Sequence, residues 1–105
     1  MDLNLSRPDE ILKMLCDRLR NERLLQQMTQ ADVAARAGVG INTVSNLESG
    51  KNVGFENVIR VAMVLGRLSE LEELFRPKVD SPDDILRYES SLKRRRIRKK
   101  TDDAR

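Results

Sequence analysis

The stretch from Thr29 to Glu48, TQADVAARAGVGINTVSNLE, decides the fold of this chain. It has the spacing of two short helices joined by a tight turn. Ala34 is small enough to stand where two helices cross, and Gly38, four residues later, can adopt the left-handed conformation of a helix C-cap. Five further apolar residues are predicted to point into one shared core: Val33, Ala37, Val39, Val44 and Leu47.

The polar residues of the second short helix lie on its predicted outer surface, with Ile41 beside them. An Asn side chain can pair with adenine through N6 and N7, and an Ile side chain can contact a thymine methyl group. Two helices with this turn and this outer face meet the requirements of a helix-turn-helix, whose second helix lies in the DNA major groove. We therefore predict base contacts from Ile41, Asn42, Ser45 and Asn46.

Helical patterns flank this stretch on both sides, and five or six helices are predicted in all. Pro8 and Asp9 mark the start of the first helix, whose apolar stripe continues through Leu19. The fifth helix is predicted to point Leu68, Leu71, Leu74 and Phe75 inward. The fold class is all-α, with a DNA-binding domain over residues 1–76, a linker and short helix over 77–92, and a basic tail over 93–105.

Charge is divided unevenly along the chain. Residues 1–92 carry 12 Lys and Arg against 15 Asp and Glu, a net charge of −3, whereas residues 93–105 carry 8 against 2, a net charge of +6. The tail is expected to lack structure without a partner. We interpret it as a phosphate-binding arm that includes Lys93, Arg94, Arg95 and Arg96, because each phosphate contact releases condensed counterions. The alternative is a solubilising end.

Several functional classes are disfavoured by the composition. The chain has no His and one Cys, and it contains no Gly-rich phosphate loop. We therefore expect no enzymatic activity, no metal site and no cofactor. No apolar run approaches the roughly 20 residues of a membrane span, and no signal peptide is recognisable, so a cytoplasmic protein without membrane association is expected.

The run from about Ile11 to Phe75 resembles the Xre-type, lambda-repressor-like family of DNA-binding domains. The shared marks are Leu19-Arg20-x-x-Arg23, Thr29-Gln30, Ala34, Gly38-Val39, Thr43-Val44-Ser45, Glu48, Gly50-Lys51 and Leu65-Gly66. The resemblance implies a compact five-helix domain that binds operator DNA as a dimer. Two residues depart from the family pattern: Gln27 replaces the Gly that usually ends the first helix, and Gly40 replaces the Ser or Thr that usually caps the recognition helix.

Further site residues follow from these positions. Phosphate contacts are predicted for Thr29, Gln30, Thr43, Lys51 and Asn52, since helix N-termini favour anions and the segment after the recognition helix borders the DNA backbone. The resemblance also implies a partly buried ion pair between Arg23 and Glu48. The alternative for Arg23 is a phosphate clamp.

The leading functional hypothesis is a sequence-specific transcriptional regulator that represses from a palindromic operator on double-stranded DNA. It is expected to act as a homodimer with its seam on the fifth helix. A second hypothesis is an antitoxin that represses its own operon and binds a HipA-like kinase toxin. A hypothesis of another class is a helical protein-interaction module without DNA binding.

Overall fold

The computed structural model describes the backbone of residues 2–51 and 53–103 and the side chains up to Arg94. A short 3₁₀ helix at Leu3–Leu5 precedes six α-helices: α1 Pro8–Leu25, α2 Gln30–Ala37, α3 Ile41–Glu48, α4 Phe55–Val64, α5 Leu68–Glu73 and α6 Pro82–Asp103. These residues contain no strand, so the all-α prediction is confirmed for them. The chain divides into two units, Met1–Leu74 and Phe75–Arg105.

Local chemistry sets the ends of α2. The Thr29 hydroxyl oxygen accepts the Asp32 N–H at 3.0 Å, and the Asp32 carboxylate accepts the Thr29 N–H at 3.0 Å. This reciprocal pair is the capping box expected from the residue spacing. The helix ends at Gly38, whose φ of 71° lies in the left-handed region that a glycine adopts without a steric penalty. Both ends of α2 therefore follow from nearby residues.

The core of the first unit is built around the α2–turn–α3 stretch. Its buried members are Cys16, Val33, Ala34, Val44, Leu47, Val61 and Leu65. Val39 is partly buried against them, and Ala37 is buried nearby. The prediction that the apolar residues of this stretch point inward is therefore confirmed. In the packing, α2 contacts α3 and α4, and α1 contacts α3.

The predicted inward orientation of the fifth helix is wrong for three of its four apolar residues. Leu68 and Leu74 are each 43% exposed and Phe75 is 90% exposed, whereas Leu71 is half-buried. The helix α5 has only six residues and packs mainly on α4. So short an element cannot bury every side of itself, and its apolar surface remains open.

The C-terminal helix differs from the prediction in length. It was expected to end near residue 92 and to be followed by a tail without structure, but α6 continues to Asp103. Arg and Lys are strong helix formers, and no Gly or Pro interrupts residues 83–103. The start is favoured by Asp83 and Asp84 in the first turn, and the Asp84 N–H donates to the Ser81 hydroxyl at 3.2 Å.

Gln27 occupies a conformation that suits glycine. It follows the end of α1 with a φ of 58°, in the left-handed region. That region costs a residue with a Cβ about 1–2 kcal/mol. The departure from the family pattern at this position therefore leaves the connection from α1 to α2 strained.

Candidate nucleic-acid interface

One face of α3 is buried and the opposite face is open to solvent. Val44 and Leu47 are fully buried in the core, whereas Ile41 is 53% exposed. The remaining predicted base-contacting residues share the outer side of the helix: Asn42 and Asn46 are exposed and Ser45 is half-buried. The structure thus brings these side chains onto one surface of a helix whose other side is held by the core.

The turn before α3 is tight and uncapped. Val39 donates its N–H to the Ala34 carbonyl at 3.0 Å, which closes the end of α2. Gly40 is the N-cap of α3, and because glycine has no side chain, no side-chain hydrogen bond caps this helix. A Cβ added at Gly40 would meet nothing within 4 Å. The space for a capping hydroxyl therefore exists, and only the hydroxyl is missing.

A buried ion pair joins α1 to α3. Arg23 Nε donates to Glu48 Oε2 at 2.6 Å, and Arg23 Nη2 donates to Glu48 Oε1 at 3.0 Å. Both residues are 7% exposed, and Arg23 Nη1 also donates to the Met28 carbonyl at 2.8 Å. Two parallel hydrogen bonds fix the relative orientation of a guanidinium and a carboxylate. The pair holds α3 against α1.

Gln30 belongs to the same network. Its amide Nε2 donates to Glu48 Oε1 at 3.0 Å, so that this oxygen accepts from both Gln30 and Arg23. Burial by itself raises the pKa of Glu48, but the hydrogen bonds from Arg23 and Gln30 outweigh it and hold that pKa below its ordinary value. The stability that this carboxylate contributes is therefore lost only as the pH falls through its lowered pKa.

The predicted phosphate-contacting residues fall into three groups. Thr29 and Gln30 stand at the start of α2, where the first N–H groups have no intrahelical partner. Thr43 is half-buried on α3, and Lys51 is exposed after it. Lys93 and Arg94 are exposed on α6, in the other unit. Asn52 lies outside the described residues, as do the side chains of Arg95 and Arg96.

Two exposed basic residues of α1, Lys13 and Arg20, were not among the predicted site residues. Gly50 packs so closely on α1 that a Cβ added to it would lie 2.9 Å from the Cα of Lys13. Arg20 stands three residues before Arg23 and is exposed, as is Lys13. The spacing of Lys13 and Arg20 is visible in the sequence, but their place beside α3 depends on tertiary contacts.

No group of three or more His, Cys, Asp and Glu side chains among the described residues is placed to hold a metal ion. None of the helices described is long and apolar enough to cross a membrane.

Comparison with known proteins places this geometry in a family. None of the curated proteins matches the chain. A family model described as Helix-turn-helix (HTH_3) matches residues 19–72, just over half of the 105 residues, and this match spans all of α2, α3 and α4. The chain therefore belongs to the helix-turn-helix family HTH_3, a family of DNA-binding transcriptional regulators.

Proposed function

We propose that this protein is a sequence-specific repressor that reads a palindromic operator with α3. The observation that supports the proposal is the exposed polar face of α3, which carries Asn42, Ser45 and Asn46 on a helix held by a buried ion pair. Rigid placement favours base readout, because hydrogen bonds to base edges demand accurate geometry. The proposed role is cytoplasmic and non-enzymatic.

Replacing Asn42 or Asn46 with Ala is expected to weaken binding to the operator by about 1–3 kcal/mol and to change binding to random duplex little. Base contacts distinguish sequences, whereas phosphate contacts do not. Fluorescence anisotropy with an operator selected from a random-sequence pool measures both affinities.

Asn21→Ala is the matched control, because Asn21 is an exposed amide on α1. Equal losses on operator and random duplex would contradict base readout by α3. If the wild-type protein showed no salt-dependent binding to any duplex, a protein-interaction module would replace the proposed function.

The repressor is proposed to act as a homodimer. One short recognition helix covers only a few base pairs, and two-fold pairing doubles the site. The first unit carries an open apolar surface on α4 and α5, where Phe55 is 57% exposed and Leu68 and Leu74 are each 43% exposed. These three side chains line a common depression together with Ile59, Leu71 and one charged residue, Glu72. We propose this apolar surface as the seam between two copies.

Leu74→Glu is expected to convert the dimer to a monomer, because it places a charge in an apolar interface. Sedimentation velocity, with and without operator DNA, measures the change. Leu25→Glu is the control, since Leu25 is 79% exposed at the end of α1 and does not line the depression. A wild-type protein that stays monomeric even on operator DNA would refute the dimer.

The basic end of the chain is proposed to be a phosphate-binding arm. Deleting the residues after Leu92 is expected to weaken binding to operator and random duplex alike. The slope of log affinity against log salt should flatten by up to about 0.9 per lost phosphate contact. Deleting only residues 101–105 serves as the control, because it leaves the basic run of residues 93–100 intact. An unchanged slope after the longer deletion would rule out the arm.

A second candidate function is an antitoxin that represses its own operon and binds a HipA-like kinase toxin. The observation that favours it is the division of the chain into a helix-turn-helix unit and a separate helical unit from Phe75 onward. The second unit would then supply a surface for the toxin. The proposal requires a kinase-like gene beside this one, and a gene neighbourhood without such a kinase would contradict it.

A further inference from the structure

Lys13 and Arg20 occupy one side of α1. They are seven residues apart, close to two helical turns, and their side chains therefore leave the helix in nearly the same direction. Arg23, three residues after Arg20, points to α3 and pairs with Glu48. Because residues three apart share a helix face, this side of α1 is the side next to α3.

The position of Lys13 is independently set by its packing against Gly50. The Cα, Cβ and Cγ of Lys13 lie 2.9, 3.1 and 3.3 Å from the place where a Gly50 Cβ would stand. The stem of Lys13 therefore runs along the segment that follows α3. Lys51 is the next residue of that segment, so two ammonium groups extend from adjoining backbone.

These three cations remain available to a ligand. Lys13, Arg20 and Lys51 are exposed, and none pairs with a carboxylate among the residues that the structure describes. The charge of Arg20 does reach Glu48 and helps to lower the pKa of that carboxyl. Asp17 is the opposing charge, an exposed carboxylate between Lys13 and Arg20 on α1.

We propose that Lys13 and Arg20 of α1, together with Lys51, form a phosphate-binding edge that grips the DNA strand bordering the groove read by α3. This inference rests on the proposed DNA-binding function and deepens it. It assigns phosphate contacts to a first unit whose charges are otherwise mostly acidic. Residues 1–74 carry 9 Lys and Arg against 11 Asp and Glu, a net charge of −2, so such an edge places positive charge in a unit whose total charge is negative.

The test is a salt titration of random-duplex binding with the full chain, in the variants Lys13→Gln, Arg20→Gln and their combination. Each single substitution is expected to flatten the slope of log affinity against log salt by about 0.9, and the double variant by about twice that. If affinity at 1 M salt is unchanged, each contact corresponds to roughly an eightfold loss at 0.1 M salt. Asp17→Asn is expected to have the opposite effect and tighten binding.

Arg18→Gln is the matched control, an exposed arginine of the same helix that lines a groove between α1, α4 and α5 instead. Charge-conserving Lys13→Arg and Arg20→Lys are expected to keep the wild-type slope. Thermal melts and sedimentation establish that all variants are folded and in the same oligomeric state.

One result would refute the phosphate-binding edge but not the proposed function. In it, the wild-type protein binds duplex, and the salt slopes of Lys13→Gln and Arg20→Gln equal that of the Arg18→Gln control. A loss of slope in the charge-conserving variants as well would show a structural role and would also overturn the edge. If the wild-type protein failed to bind duplex, both the proposed function and the proposed phosphate-binding edge would be refuted.

Discussion

Replacing Glu48 with Ala is expected to lower the free energy of unfolding by about 3–5 kcal/mol, because the substitution leaves the buried Arg23 guanidinium without its counterion. The two residues are each 7% exposed and are joined by hydrogen bonds of 2.6 and 3.0 Å. Only the Met28 carbonyl would remain as a partner for Arg23, and a neutral oxygen compensates a buried charge poorly. Urea unfolding followed by circular dichroism measures the loss.

The double variant Arg23→Met with Glu48→Leu is the control for this prediction. It removes both charges and fills the space with apolar side chains, so its stability is expected to lie close to that of the wild-type protein. An unchanged melting temperature for Glu48→Ala would remove the structural role of the pair and would favour the phosphate-clamp interpretation of Arg23.

Gly50→Ala is expected to destabilise the protein by about 2–5 kcal/mol, from two causes that act together. The φ of Gly50 is 72°, and a residue with a Cβ loses about 1–2 kcal/mol in the left-handed region. The new Cβ would also stand 2.9 Å from the Cα of Lys13, where backbone must move. Moving backbone apart in a packed junction adds about 1–3 kcal/mol. Thermal and urea unfolding measure the sum.

Gly66→Ala separates the two causes. Gly66 has a φ of 74°, but a Cβ there would meet nothing within 4 Å. Its substitution should therefore show the backbone cost alone, about 1–2 kcal/mol. Equal losses at both positions would mean that the close approach of Lys13 adds nothing to the cost of a Cβ at Gly50.

Much of the first unit could be predicted because its determinants are local. The capping box of Thr29 and Asp32 joins residues three apart, and Gly38 ends α2 through its own backbone conformation. The inward positions Val33, Val44 and Leu47 follow from helical periodicity, since only one face of each short helix can reach the core. The outer face of α3 is the complement of that inner face.

The errors arise where a residue's environment depends on the length or packing of an element. Leu68 and Leu74 have the periodicity of core residues, yet both are exposed, because α5 has only six residues and ends before Leu74. The basic run after Leu92 has the composition of an unstructured tail, yet its Arg and Lys residues also favour the helix that continues to Asp103. Composition and periodicity show which side chains of a segment could be buried, but they do not show which other elements pack against that segment.

The sequence by itself determined the all-α class, the helix-turn-helix and the set of polar residues on the outer side of α3, because all three depend on spacings within a few turns of helix. Only the tertiary structure decided that Glu48 Oε1 accepts from both Gln30 Nε2 and Arg23 Nη2, each at 3.0 Å, and that Lys13 lies against Gly50. Those contacts join residues 18 to 37 positions apart. Such distant pairs meet only through the packing of α1, α2 and α3, which no local spacing records.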